Sequence, residues 1–172
     1  MRTIKKIYKA PKVNMGGIIL DQPLTYEQTP TVISPDKKVI VKVVAGKFKG
    51  VSGTINTYSP LLTLRLDIKK GGKIEIPIPK NYNSFLYQLD GSLKINGTDE
   101  TSYKDLIWFN NNGSSITIEG IENTRAILLA GEPIGEEVTS HGPFVMNTQT
   151  EIMEAIRDYQ QGNMGILIEE FD

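Results

Sequence analysis

The sequence predicts an all-β protein: a single antiparallel barrel of short strands with one α-helix near the C-terminal end. Three observations lead to this prediction. Apolar and polar residues alternate with a period of two along much of the chain. The connections between these runs contain glycine or asparagine, which tight turns favour. One segment, 148–161, instead has the period of an amphipathic helix.

The clearest strands lie in the middle of the chain. Segment 61–68 has leucine or isoleucine at every second position, and 73–78 repeats this pattern with isoleucine. Segment 39–45 is rich in β-branched residues, and 2–10 alternates loosely with lysines that are typical of an edge strand. Further strands are predicted at 85–89, 93–95, 106–109, 115–119 and 125–129. Because alternation buries one face of a strand, we expect Ile78 to be a core residue.

The helix carries its own start and stop signals. Thr148 and Glu151 have the spacing of a capping box, and Gly162 provides a C-terminal stop. The apolar stripe consists of Ile152, Ala155, Ile156 and Tyr159. A single amphipathic helix needs a surface for such a stripe. We expect Ile152, Ile156 and Tyr159 to contact either the chain's own barrel or a second copy, which would give a homodimer.

Composition excludes several classes of function. The 172 residues suit one domain and contain no cysteine, which excludes thiolate catalysis, disulfides and cysteine zinc sites. No apolar run reaches the roughly 18 residues of a membrane span. The first residues do not resemble a signal peptide, so we expect a cytoplasmic protein without a membrane partner.

The charge is unevenly distributed although its net value is −1. Residues 1–49 contain ten Lys/Arg and three Asp/Glu. A basic N-terminal region could contact nucleic acid or an acidic protein, as a transcription cofactor would. The lysines alternate with β-formers, however, and no nucleic-acid motif accompanies them. We therefore expect this region to lie against the more acidic remainder of the chain rather than to bind nucleic acid.

A metal-site spacing appears without metal ligands. Gly72, Ile78, Lys80, Ser84 and Gly91 follow the pattern G-x5-H-x-H-x3-E-x6-G, which is typical of the cupin superfamily. Isoleucine, lysine and serine here replace the histidine and glutamate donors that a metal ion needs. We expect no metal and no cofactor at these positions.

The remaining polar residues do not form a recognisable catalytic set. His141 is the only histidine, and it cannot build a histidine-rich site alone. The carboxylate pairs at 136–137 and 169–170 are adjacent residues that we expect on the surface. No nucleophile elbow or nucleotide-binding loop is present. We therefore predict no catalytic residue.

Several segments resemble the pirin family, a branch of the cupins. They are RTIKKIY (2–8), LTYEQTP (24–30), VIVKVVAGKFKGVSG (39–53), TYSPLLTLRLDIKKGG (57–72), ILLAGEPIGEEV (127–138) and GPFVMNTQTEIMEAIRDYQQGNMG (142–165). Pirins have two barrels; the first holds a metal through histidines and a glutamate, and some pirins have quercetin dioxygenase activity. The resemblance implies that this chain corresponds to the second barrel, because only residues 12–23 are left for the first.

These observations define the expected organisation and function. We predict an N-terminal strand and connecting arm at 1–22, a cupin barrel at 23–141, and a helix and tail at 142–172. The leading hypothesis is a metal-free, non-catalytic pirin-like protein that binds a protein partner or itself. The alternatives are a quercetin-dioxygenase-like enzyme with an atypical site, or a barrel that binds a small molecule in a pocket. The residues expected to line that pocket are Ile78, Lys80, Tyr87 and Trp108.

Overall fold

The computed structural model describes residues 1–9, 25–57 and 59–165, with the side chains of residues 6–9 left out. The connecting arm expected after the first strand, and a short strand that could follow at 166–168, lie outside the described residues. In the described part of the chain, no helix is long and apolar enough to cross a membrane.

Strands account for most of the regular structure in the described ranges. In chain order they are β1 (Ile4–Lys9), β2 (Thr31–Ile33), β3 (Val39–Ala45), β4 (Lys47–Phe48), β5 (Val51–Ser52), β6 (Leu61–Ile68), β7 (Lys73–Pro77), β8 (Asn83–Gln88), β9 (Ser92–Ile95), β10 (Asp99–Ser102), β11 (Asp105–Phe109), β12 (Ser115–Gly120), β13 (Thr124–Gly131), β14 (Thr139–His141) and β15 (Phe144–Met146). One helix follows, α1 (Gln149–Gln160).

Two sheets form the body of the molecule. The larger sheet has seven strands in the order β1-β11-β8-β13-β6-β3-β2, and the smaller sheet has the order β10-β9-β12-β7. Neighbouring strands in both sheets are antiparallel. The predicted all-β antiparallel architecture with one C-terminal helix is therefore confirmed, and its form is a sandwich of two packed sheets.

The inner faces of both sheets contribute to one hydrophobic core. Along β6 every second residue is buried, as the alternation predicts, and the same pattern continues in β7. Leu64, Leu66 and Ile76 have no exposed surface. Burial of each such side chain contributes roughly 1.5–3 kcal/mol relative to exposure. The buried side chains of both sheets therefore form one cluster on the inner faces that the alternation predicts.

Turn residues set the connections where the sequence predicted them. Asn96 and Gly97, between β9 and β10, have φ angles of 54° and 81°. Asparagine and glycine adopt this left-handed region at the lowest cost, which explains the tight reversal.

The described residues divide into two compact units, Met1–Pro133 and a second that starts at Ile134. The sequence boundaries at 22/23 and 141/142 differ from this division. Strand β1 belongs to the larger sheet of the first unit because it pairs with β11. His141 lies in the second unit, in the β14–β15 hairpin, where it pairs with Phe144.

The helix in the second unit begins and ends close to the predicted residues. The Thr148 hydroxyl accepts a hydrogen bond from the Glu151 amide, and the Glu151 carboxylate accepts one from the Thr148 amide over 2.8 Å. The helix packs against the β14–β15 hairpin, where the rings of Phe144 and Tyr159 meet edge to face at 6.1 Å. The predicted capping box is therefore present.

Candidate functional site

The three positions that correspond to cupin metal ligands lie directly after β7, in the turn that follows, and at the start of β8. Ile78 is 1% exposed and belongs to the core, as expected. Lys80 is exposed on the turn, and Ser84 is buried at the start of β8. An alkyl group, an ammonium and one hydroxyl do not make a metal site. The described residues also contain no group of three or more His, Cys, Asp or Glu side chains that could hold a metal.

A guanidinium group occupies the space beside Ser84. Arg2, just before β1, has no exposed surface although its side chain is charged. Its three nitrogens donate five hydrogen bonds to neutral oxygens, which we call the guanidinium cage. The cage consists of the Pro79, Tyr82 and Gly113 carbonyls, Ser84 Oγ and Asn111 Oδ1. The sequence reading missed this site, because nothing local distinguishes Arg2 from a surface residue.

The cage compensates for the loss of hydration. Burial lowers the pKa of Arg2 from its ordinary value, because desolvation penalises the charged form. An arginine side chain nevertheless stays protonated in proteins. None of the cage oxygens belongs to a carboxylate, so hydrogen bonds to uncharged acceptors replace the water shell. Such an arrangement is stable only while each donor is satisfied.

The backbone amide and carbonyl of Arg2 also form hydrogen bonds. The Arg2 amide donates to the Ser115 carbonyl over 2.6 Å, and the Asn96 side chain donates to the Arg2 carbonyl. A Cβ on Gly113 would lie 2.3 Å from the carbonyl carbon of Met1, so only glycine allows this approach. The loop between β11 and β12 is therefore shaped to receive the segment that precedes β1.

The predicted ligand pocket does not form. Ile78 lies in the core, whereas Tyr87 and Trp108 lie on the outer face of the larger sheet. On β8 the buried residues are Ser84, Leu86 and Gln88, so Tyr87 points the opposite way. Of the four residues expected to line one pocket, Ile78 is therefore in the core, Lys80 is on an exposed turn, and Tyr87 and Trp108 are on the outer face. Phe85 and Tyr87 share one face of β8, and that face is the outer one.

The outer face carries a continuous apolar surface that we call the outer patch. It spans β11, β8 and β13 in two cross-strand rows, Trp108-Phe85-Leu129 and Leu106-Tyr87-Ile127. Phe85 is 38% exposed and Trp108 37% exposed, and with Asn83 and Leu106 they line a depression of about 300 Å³. The Lys5 ammonium lies 4.3 Å from the Trp108 ring centroid. Exposed aromatics grouped in this way are typical of interaction surfaces.

A second cluster occupies the same face on β3 and β6. Tyr26 donates a hydrogen bond to Asp67 over 2.9 Å, while Lys42 and Arg65 lie 4.0 and 4.7 Å from its ring centroid. Burial, and then the hydrogen bond to Asp67, raise the pKa of the Tyr26 phenol.

Two basic residues of the 1–49 region, Arg2 and Lys42, are buried and therefore not available to bind a polyanion.

The helix stripe is only partly available as a surface. Ile152 is fully buried, Ile156 is half-buried, and Tyr159 is 66% exposed. The role of these three residues at an interface therefore stays a prediction.

Comparison with known proteins assigns the fold to a class. The domain family described as the Pirin C-terminal cupin domain matches residues 63–165. The crystal structure of a quercetin 2,3-dioxygenase from Acinetobacter baumannii superposes with a TM-score of 0.79 at 28% identity, over 86% of this chain and 51% of that one. The fold is therefore that of a cupin domain. The chain belongs to the pirin family.

The relatives agree on the family and differ in length. Pirin from Homo sapiens is 36% identical over 150 residues, covering 84% of this chain and 50% of that protein. A putative quercetin 2,3-dioxygenase from Pseudomonas aeruginosa is 28% identical over 141 residues, covering 82% and 49%. The chain thus spans about half the length of the curated relatives it matches.

Proposed function

We propose that this pirin-family chain is a non-catalytic, metal-free cupin that acts through protein association, with a second copy of itself as the leading partner. The observation that carries the proposal is the arrangement at the ligand-equivalent positions. Ile78 is part of the core, and Ser84 accepts a hydrogen bond from the Arg2 guanidinium at 3.1 Å. A metal cation at this point would have to displace a buried positive charge and would find no anionic ligand.

The outer patch supports association. Tryptophan, tyrosine and arginine contribute most of the binding energy at many interfaces, and the patch presents Trp108, Tyr87 and Phe85 on one rigid sheet. Sheet residues are pre-organised, so little conformational entropy is lost on binding. The exposed Tyr159 of the helix offers a second apolar contact.

The proposal of a homodimer follows from the same surface. A two-fold axis would place the outer patch of one copy against that of another, in an isologous interface. Light scattering across a concentration series tests this directly. A dimer at tens of micromolar supports self-association, whereas a monomer throughout the series contradicts it and leaves a different protein as the partner.

As the sequence predicts, we place the chain in the cytoplasm, where fractionation of cells would detect it.

A dioxygenase is the second candidate, and the names of relatives support it. The Acinetobacter baumannii and Pseudomonas aeruginosa proteins bear the name quercetin 2,3-dioxygenase or its putative form. Metal-dependent oxygenation needs several histidine or carboxylate ligands, which the described ligand-equivalent positions do not supply. Oxygen consumption with quercetin, after reconstitution with iron, nickel or copper, decides between the candidates. Turnover above that of the free metal would overturn the non-catalytic proposal.

A further inference from the structure

We propose that the guanidinium cage is a binding site in its own right, whose class of ligand is an arginine side chain in an extended peptide. In this structure the chain fills the site with its own Arg2. The acceptors come from parts of the chain far from Arg2; the nearest in sequence, Pro79, is 77 residues away. The site is thus built by the body of the domain and not by the strand that occupies it.

The cage matches a guanidinium and not simply a cation. Arg2 Nε donates to the Gly113 carbonyl, Nη1 donates to three acceptors, and Nη2 donates to the Pro79 carbonyl. Acceptors therefore surround the planar group along its edges. A lysine ammonium has its three donors at one point and cannot reach all of these oxygens together.

Contacts to Thr3, two of them to its hydroxyl, add selectivity for an Arg-Thr pair. The Asn110 amide donates to the Thr3 carbonyl over 2.8 Å. The side chains of Asn110 and Asn112 both donate to the Thr3 hydroxyl over 2.9 Å. Beyond Thr3, β1 pairs with the edge of β11. Addition of an extended peptide to a sheet edge, with an anchored side chain, is a common mode of peptide recognition.

The cage is held in place by hydrogen bonds that do not involve Arg2. The Tyr82 amide donates to the Pro79 carbonyl over 3.0 Å, which closes the turn before β8. The Asn111 side chain donates to Asn83 Oδ1 over 2.9 Å. Acceptors that are held by such independent contacts lose less entropy when they bind a guanidinium, which favours separate recognition.

Chemical rescue tests the proposal. In the full chain, Arg2→Ala removes the guanidinium and leaves the five cage acceptors without their donor. We expect Arg2→Ala to melt at a lower temperature than the parent protein, and propylguanidinium at millimolar concentration to restore most of the loss with saturation. The parent protein should show no saturable change, because its cage is filled. Arg125→Ala is the matched control, since Arg125 is an exposed arginine paired with Asp90.

Three results, two of them from the controls, would overturn the proposal. Absence of saturable rescue in Arg2→Ala would overturn the proposal. Equal stabilisation by propylammonium, or equal stabilisation of Arg125→Ala, would also overturn it, because either result indicates a nonspecific effect.

If Arg2→Ala does not fold by itself, the full-length variant is refolded from urea with propylguanidinium or with propylammonium at the same concentration. Circular dichroism should show that propylguanidinium restores a saturable folded fraction and that propylammonium does not, because an ammonium cannot make the planar set of hydrogen bonds. Equal folded fractions with the two compounds, or no folded protein with either, would contradict a guanidinium site.

Discussion

Arg2 Nη1 donates a hydrogen bond to Ser84 Oγ over 3.1 Å, at the position where the cupin motif has its metal-binding glutamate. A cation is therefore still present next to this position, but it is covalently part of the chain. The exchange of glutamate for serine is compatible with this arrangement because the guanidinium finds enough neutral acceptors nearby.

Removal of one cage acceptor should have a moderate effect. Ser84→Ala deletes one of three acceptors of Arg2 Nη1 and leaves the other two. Because Nη1 has two N–H groups, the Tyr82 carbonyl and Asn111 Oδ1 can still satisfy both, and we expect the free energy of unfolding to fall by only about 0.5–1.5 kcal/mol. Urea unfolding measures it. Ser52→Ala, at an exposed serine outside the cage, is the control. A loss above that of Arg2→Ala would contradict this account of the cage.

Substitution of two ligand-equivalent positions should change the stability of the protein to very different extents. Ile78→Ala removes a fully packed core side chain and should cost about 2–5 kcal/mol of stability. Lys80→Ala changes an exposed side chain and should stay within about 0.5 kcal/mol. Chemical denaturation of both variants tests the assignment. Comparable losses would indicate that Lys80 has a structural contact absent from this structure.

Substitution of the outer patch should weaken self-association without unfolding the protein. Trp108→Ser removes a partly exposed aromatic side chain of the outer patch. We expect the dimer dissociation constant to rise about tenfold or more. Analytical ultracentrifugation measures the constant. Tyr103→Ser is the matched control because Tyr103 is a 57% exposed aromatic outside the patch. The interface assignment fails if both variants dimerise like the parent protein.

The Tyr26–Asp67 hydrogen bond should make stability sensitive to alkaline pH. Because the folded-state pKa of Tyr26 is raised, its contribution is fully present below the ordinary tyrosine pKa of about 10 and is lost as pH rises through the higher folded value. Tyr26→Phe removes the phenol and should cost about 1 kcal/mol at neutral pH. Urea unfolding between neutral and alkaline pH compares the two proteins. Their difference should shrink as the phenol ionises, and a constant difference would contradict the linkage.

The sequence predicted features that depend on local patterns. The buried leucines of 61–68, the isoleucines of 73–78 and the helix with its capping box are all read from residues close together in the chain. Each of these signals agrees with the surrounding fold, so propensity and packing lead to the same structure.

The sequence failed where the decisive contacts are distant. Burial of Arg2 depends on acceptors between 77 and 111 residues away, which no local pattern reveals. On β8 the aromatic residues Phe85 and Tyr87 share a face, as period-two alternation requires, but the more polar face with Ser84 and Gln88 is the one that is buried, which is why Tyr87 does not line an interior pocket. The polar groups on that inner face are hydrogen-bonded. The Gln88 side chain donates to the Gly91 carbonyl, and Ser84 Oγ accepts from Arg2 Nη1.

The metal content of the protein tests the central claim most directly. The full chain would be loaded with iron, nickel or copper, dialysed, and measured by elemental analysis beside Ser84→Ala. Because Ile78, Lys80 and Ser84 offer no adequate ligand set, we predict only traces of metal in both proteins. One tightly bound metal ion per chain, reduced in Ser84→Ala, would contradict the claim that these positions have no metal chemistry.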